Sequence, residues 1–133
     1  MDVLIVGGEC TVQEGVLQAV RAAALRAEWC ATADSAREAA LESPPTALVV
    51  HVDIARDGDA ARQIPLKSGG AVILFRDGDQ TGASAGQVFG RTVVAELSLP
   101  LERARLVALL SRIVERARIT GRDRRTTDPP LSP

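Results

Sequence analysis

The sequence predicts an α/β fold in which five parallel strands form one doubly wound sheet, with helices packed on both faces. Short apolar runs of strand length recur five times along the chain. Segments whose apolar residues follow helical spacing separate these runs, and such alternation is the pattern of βα units. The length of 133 residues suffices for one ordinary core, so we expect a single domain.

The first half of the chain supplies three strand candidates. Val3 to Val6 is fully apolar and stops at Gly7-Gly8, which predicts a buried strand followed by a turn. Trp29 to Ala33 is a shorter candidate with weaker strand propensity. Ala47 to Val52 is a third apolar run, with a single histidine, His51, near its end.

Two helices are predicted between these strands. Apolar residues recur at helical spacing from Thr11 to Ala27. A second helix is predicted to open at Asp34 or Ser35, where Ser35 and Glu38 fit a capping box. That helix has to end before Pro44, because proline cannot continue a helix.

The second half of the chain supplies the fourth and fifth strands, Ala71 to Phe75 and Arg91 to Glu96. A short helix is expected near Ala60 to Leu66. Another is expected within Thr81 to Phe89, where glycines and small residues weaken it. The clearest helix of the chain is Leu101 to Ile119, whose apolar and charged residues fall on opposite sides.

These elements divide the chain into a domain over residues 1–119 and a C-terminal segment over residues 120–133. The segment is rich in arginine and proline and cannot add to a core. We expect it to be a flexible tail or the start of a linker. The sequence leaves open whether an effector domain follows residue 133.

Composition excludes several classes of protein. A net charge of −1 gives no basic excess for nucleic acid or an anionic membrane, and no apolar run approaches the ~20 residues of a membrane span. The acidic start at Asp2 does not fit a signal peptide, so a cytoplasmic location is expected. Cys10 and Cys30 lack metal-type spacing and are predicted to be reduced thiols.

The order and spacing of four segments resembles the receiver domain of bacterial response regulators, a CheY-like, flavodoxin-like class. The resemblance covers residues 2 to 119. It is carried by Val3 to Val6 before a short turn, Ala33 to Ala39 opening a helix, the proline-led strand Pro45 to Val52, and Leu99-Pro100-Leu101 in place of Lys-Pro-Phe. It implies the strand order 2-1-3-4-5.

The same resemblance implies a phosphorylation site that this chain lacks. In the family, two acids and an acceptor aspartate bind Mg²⁺, and a hydroxyl and a lysine hold the phosphoryl group. In this chain the acidic pair falls on Gly7 and Gly8, with only Glu9 nearby, and the acceptor falls on His51. The hydroxyl falls on Arg76 or its neighbour and the lysine on Leu99, and the following proline is kept as Pro100. A single acidic side chain cannot bind Mg²⁺ with useful affinity. We therefore expect a degenerate receiver with no Mg²⁺, no other cofactor, no catalytic residue and no enzymatic activity.

Two alternatives remain for the remnants of that site. Asp53 lies two residues after His51, on the same strand face if the strand runs that far, and would then be a non-standard acceptor. Otherwise His51 is a partly buried neutral imidazole. Arg76 either spans the emptied pocket to Glu9 or Asp53, in the structural role of the metal and lysine, or points to solvent.

The leading functional hypothesis is a phosphorylation-independent interaction or dimerisation module in signal transduction or transcriptional control. The resemblance places its surface on the fourth helix, fifth strand and fifth helix, within Thr81 to Ala117. That surface would bind a protein partner or a second copy in a homodimer, with reciprocal salt bridges. Its candidate residues are Glu96, Glu102, Arg103, Arg105, Arg112, Glu115 and Arg116.

Two other classes have less support. A crevice that binds a small molecule or nucleotide is the alternative, because Gly7 and Gly8 follow a strand, but no third glycine completes a dinucleotide-binding turn. Direct DNA binding is not expected, because the basic cluster lies at the terminus without interleaved aromatic residues. That cluster consists of Arg118, Arg122, Arg124 and Arg125.

Overall fold

The structure of the protein, a computed structural model, describes residues 1–8, 10–57, 63–67, 69–77, 93–99 and 101–127. The described elements alternate between strand and helix for most of the chain. They are β1 (Val3–Val6), α1 (Cys10–Ala22), β2 (Ala27–Cys30), α2 (Ala33–Glu42), β3 (Ala47–His51), α3 (Val52–Asp57), β4 (Ala71–Asp77), β5 (Val93–Leu99) and α4 (Arg103–Thr127).

The five strands form one parallel sheet in the order β2-β1-β3-β4-β5, which confirms the predicted fold class and strand order. β1 lies between β2 and β3, with Val6 opposite both Cys30 and Val50. The carboxyl ends of β1 and β3 therefore meet at one edge of the sheet. This is the edge at which open α/β sheets place their functional sites.

The sheet is buried on both faces, as expected for parallel strands covered by helices. Val3 and Ile5 face one core with α1 and α4, whereas Leu4 and Val6 face the other with α2 and α3. All residues of β1 and β3 are buried. Since each large aliphatic side chain contributes roughly 1.5–3 kcal/mol on burial, these two central strands supply much of the stability of the fold.

The first two helices differ in detail from the predicted ones. α1 ends at Ala22 rather than Ala27, because Ala24 has φ +65° and turns the chain into β2. β2 accordingly begins at Ala27 and ends at Cys30. The predicted capping box of Ser35 and Glu38 is wrong: the N-cap of α2 is Thr32, whose hydroxyl accepts the Ser35 N–H at 3.2 Å.

The second half differs mainly in element length. β4 extends to Asp77 and β5 to Leu99, because strand pairing continues past the apolar runs. α4 continues to Thr127 rather than ending at Ile119, since helical hydrogen bonding propagates beyond the apolar pattern once a helix has formed. No helix forms at residues 63–66, and the helix predicted within Thr81 to Phe89 lies outside the described residues.

Within the described part of the chain, no helix combines the length and the apolar character needed to cross a membrane.

Candidate functional site: the crevice between β1 and β3

Two glycines shape the end of β1 in a way that other residues would not. Gly7 and Gly8 have φ +84° and +85°, in the left-handed region that favours glycine. The Gly7 N–H donates to the Cys30 carbonyl, and the Gly7 carbonyl accepts the Trp29 indole N–H, each at 2.9 Å. The turn is therefore held to the edge strand β2 on its outer side.

Neighbouring side chains occupy the space that larger residues would need at these glycines. A Cβ at Gly7 would overlap the end of the Ile54 side chain and lie 3.0 Å from the Cβ of His51. A Cβ at Gly8 would overlap the Gln13 amide nitrogen and lie 3.1 Å from the Phe75 ring. The two positions that the resemblance assigns to the acidic pair of a receiver are thus crowded by side chains and strained for any residue with a Cβ.

His51, at the end of β3, and Phe75, its pairing partner on β4, line the crevice. Both are buried, and their rings meet edge to face with centroids 5.1 Å apart and planes at 85°. The Asp53 N–H donates to His51 Nδ1 at 3.1 Å. In this geometry Nδ1 is therefore a hydrogen-bond acceptor.

Asp53 lies in α3 and not in the strand. β3 ends at His51, and α3 begins at Val52, so the longer third strand needed for the alternative acceptor does not form. The Asp53 side chain is 65% exposed, with its carboxylate 3.7 Å from His51 Nδ1. An ion pair over this distance would require a proton on Nδ1. The ion pair and the hydrogen bond that Nδ1 accepts from the Asp53 N–H therefore cannot form at the same time.

Arg76 contacts the neighbouring strand rather than Asp53. Its guanidinium lies 3.9 Å from the Glu96 carboxylate, and both side chains are largely buried. The register explains the contact: Leu74 pairs with Glu96, so Arg76 is the diagonal neighbour of Glu96 on the same face of the sheet. The predicted contact with Asp53 is wrong, and the alternative with Glu9 lies outside the described residues.

The position that the resemblance assigns to the lysine of a receiver is an apolar core position. Leu99 is the last residue of β5 and is buried against α4. Pro100 lies outside the described residues. The connection to α4 is held instead by Glu102, whose backbone N–H donates to the Ser98 carbonyl at 2.7 Å and whose carboxylate accepts the Ser98 N–H at 2.9 Å.

Glu102 makes the stability of this connection pH-dependent. The hydrogen bond from the Ser98 N–H, and then that from Arg105, lower the pKa of the Glu102 carboxyl from its ordinary 4.5. A lowered folded-state pKa stabilises the fold above the unfolded-state value, and that contribution is lost as pH falls through the folded-state value. The ionised carboxylate thus stabilises the β5–α4 connection at neutral pH, and its protonation in acid removes this contribution.

We expect Glu102→Gln to lower the free energy of unfolding at pH 7 and to have little effect well below pH 4.5. Urea denaturation of both proteins between pH 3 and pH 7 measures this difference. Glu38→Gln, on the exposed face of α2, is the matched control. A Glu102→Gln effect that stays constant over this pH range would contradict the assigned role.

The residues around the crevice do not fit Mg²⁺, the metal of the receiver family. A hard cation requires several oxygen ligands in near-octahedral order. Gly7 and Gly8 offer no carboxylate, and the Nδ1 of His51 is engaged by backbone. In the described ranges no group of three or more His, Cys, Asp or Glu side chains gathers into a metal-binding cluster.

Gln13 is a residue of this region that the sequence reasoning missed. Its side chain is buried at the start of α1, and neither Nε2 nor Oε1 has a hydrogen-bond partner among the described residues. It lies against Gly8, at the position that a Cβ there would take. The helical spacing of Gln13, Val16 and Val20 was a usable signal, because it places a polar amide on the apolar face of α1.

The predicted interaction residues separate into two groups. Glu96 is mostly buried and belongs with Arg76, so it is part of the sheet rather than of an exposed stripe. Glu102 lies at the start of α4 and is bound to Ser98 and Arg105. The exposed members lie along α4 and are Arg103, Arg105, Arg112, Glu115 and Arg116.

Comparison with known proteins supports the fold through structure alone. No protein-family model and no curated protein sequence matches the chain. Solved structures do match. The receiver domain (CheY-like) of a Methylobacillus flagellatus response regulator has a TM-score of 0.63 at 16% identity, over 85% of this chain and 98% of that one.

Two further structures have the same fold. The N-terminal domain of a response regulator/sensory box/GGDEF 3-domain protein from Carboxydothermus hydrogenoformans has a TM-score of 0.68 at 12% identity, over 90% of this chain and 98% of that one. The receiver domain of a sensor histidine kinase from Pseudomonas aeruginosa PAO1, with a magnesium ion in its active site cleft, has a TM-score of 0.60 at 16% identity, over 86% and 97%. The chain therefore has the CheY-like fold of response-regulator receiver domains.

Proposed function

We propose that this chain is a degenerate receiver domain that acts through protein contacts, in signal transduction or transcriptional control, without being phosphorylated. The observation that carries this proposal is the closed crevice. At the strand ends where a receiver holds Mg²⁺ and the phosphoryl group, this chain places Gly7 and Gly8 at positive φ, a buried His51 and the Phe75 ring.

The physical argument is that phosphoryl transfer requires charges that are missing here. Cations have to stabilise the equatorial oxygens of the transferring group, and a metal has to bridge it to the acceptor. Arg76, which the resemblance places at or next to the hydroxyl position, lies 3.9 Å from the Glu96 carboxylate. Leu99, at the lysine position, is buried and apolar.

A fold that lacks this chemistry can still present its surface. The charged residues of α4 from Arg103 to Arg118 are exposed, and the outer edge of β5 pairs with no described strand. Exposed arginine is enriched at protein interfaces, where it forms bidentate contacts with carboxylates. We propose that α4 and β5 form the contact surface for a protein partner, with no nucleic acid or membrane as ligand of this domain.

The proposal is tested by incubating the protein with acetyl phosphate and Mg²⁺ and measuring its intact mass. We expect no phosphoryl adduct, because the described part of the crevice has neither a metal site nor an unengaged cation at the acceptor. The exposed Asp53 is the carboxylate to follow by peptide mapping. Stoichiometric phosphorylation of Asp53 or another carboxylate would overturn the proposal.

A further inference from the structure

The exposed faces of α2 and α4 carry complementary side chains at matched positions. On α2, residues Asp34, Arg37, Glu38 and Leu41 follow the spacing i, i+3, i+4, i+7 and are all exposed. On α4, residues Arg112, Glu115, Arg116 and Ile119 follow the same spacing and are also all exposed. Residues at these intervals lie on one side of a helix, so each set forms a continuous face.

Position by position, the two faces are opposite in charge. Asp34 corresponds to Arg112, Arg37 to Glu115 and Glu38 to Arg116. The fourth position is apolar on both faces, with Leu41 65% exposed and Ile119 50% exposed. A parallel pairing of the two helices would therefore bring Asp34 to Arg112 and Arg37 to Glu115, and cover two large apolar side chains.

Each face also carries a pair of like charges, which a contact of opposite sign would compensate. Asp34 and Glu38 are like charges four residues apart, and so are Arg112 and Arg116, a spacing that mildly destabilises an isolated helix. α4 as a whole contains eight arginines and two acids, on a chain whose net charge is −1. A symmetric contact between two α4 helices would bring like charges together, whereas α2 offers a surface of the opposite sign.

We propose that a second copy of this chain docks head to tail, with the α2 face of one copy against the α4 face of the next. This inference rests on the proposed function as an interaction module, and it identifies the protein partner as another copy of the same chain. α2 packs on one face of the sheet and α4 on the other, so both contacts are available to each molecule. Such a heterologous contact produces an open chain of copies or a closed ring rather than a two-fold dimer.

Sedimentation over a concentration series at low and high salt tests the proposal. Exposed ion pairs are individually weak, so we expect association in the high micromolar range that decreases as salt screens the charges. The average mass of the sedimenting species should rise with protein concentration beyond the mass of a dimer. Asp34→Arg and Arg112→Asp, each alone, should weaken association about tenfold. Glu14→Arg and Arg26→Asp make the same kinds of charge change at exposed positions outside both faces, and these two variants should not weaken association.

An equimolar mixture of the Asp34→Arg and Arg112→Asp proteins provides the decisive measurement. The mixture should regain association, because the arginine introduced on α2 of one protein then meets the aspartate introduced on α4 of the other. Unfolding of either variant cannot produce this rescue, and Glu38→Arg offers a second α2 variant away from the helix end.

Three results would overturn the head-to-tail contact. These are a wild-type chain that stays monomeric, a two-fold dimer that Asp34→Arg does not affect, and a mixture that shows no rescue. None of them bears on phosphorylation, which the mass measurement tests separately.

Discussion

Restoring an acid at the end of β1 by Gly7→Asp is expected to destabilise the fold by about 3 to 5 kcal/mol. Two costs combine in this variant. A non-glycine residue is strained at φ +84°, and its Cβ would overlap the side chain of Ile54 and crowd that of His51. Urea denaturation followed by far-UV circular dichroism measures the loss.

Gly69→Ala separates these two costs. Gly69 also has positive φ, +81°, but a Cβ there would meet no heavy atom within 4 Å. Gly69→Ala should therefore show the backbone strain alone, about 1 to 2 kcal/mol. Gly7→Ala should exceed it because of the contact with Ile54. Equal losses for the two alanine variants would show that the crevice at Gly7 is not closed by side chains.

Replacing the buried amide of Gln13 by Gln13→Met is expected to stabilise the protein by about 1 to 2 kcal/mol. Methionine has a similar length, fills irregular apolar space and carries no polar group that needs a partner. The two amide atoms of Gln13 lose their hydrogen bonds to water on folding and gain none from the described protein. The midpoint of urea denaturation should rise without a change in its slope.

Gln18→Met makes the same chemical change on the exposed side of α1. It should change the free energy of unfolding by no more than about 0.5 kcal/mol. If Gln13→Met instead lowers stability, the amide has a partner in solution. That result would contradict the view that Gln13 is retained at a cost to the fold.

Much of the fold followed from apolar periodicity, because buried parallel strands and amphipathic helices impose patterns that a single sequence displays. The runs at Val3 to Val6 and Ala47 to Val52 became the interior strands β1 and β3, although β3 ends at His51. The boundaries were predicted less well, since they depend on local geometry. The φ of +65° at Ala24 ends α1, and the hydroxyl of Thr32 caps α2. Alanine gives no signal for positive φ, and Thr32 is one of several possible caps in its segment.

The sequence shows the residue types at the candidate site but not how they pack. That Gly7, Gly8 and Leu99 replace carboxylates and an amine is implied by the resemblance and stays a prediction. Strand register, which is set by the whole sheet, decides two of the contacts. It places Phe75 beside Gly8 and Arg76 beside Glu96. The burial of Gln13 likewise depends on how α1 packs onto the sheet.

These contacts support the proposal that the chain has no working phosphorylation site. Single changes at the acceptor or the metal ligands would leave a crevice with room for other chemistry. Here Ile54 and Gln13 contact the glycine turn, and Phe75 packs on His51, so the space itself is occupied. The faces of α2 and α4 remain exposed for contacts with other molecules. We infer that the fold is retained for its surface.

The measurement that tests this central claim most directly is the response of the backbone amide NMR signals to Mg²⁺ and beryllofluoride, a mimic of the phosphoryl group. We expect no saturable change at Gly7, Gly8 or Asp53, with Gly69 as the reference for nonspecific effects. Saturable, Mg²⁺-dependent shifts at Gly7, Gly8 and Asp53 that leave Gly69 unchanged would show an open phosphorylation site and contradict the account.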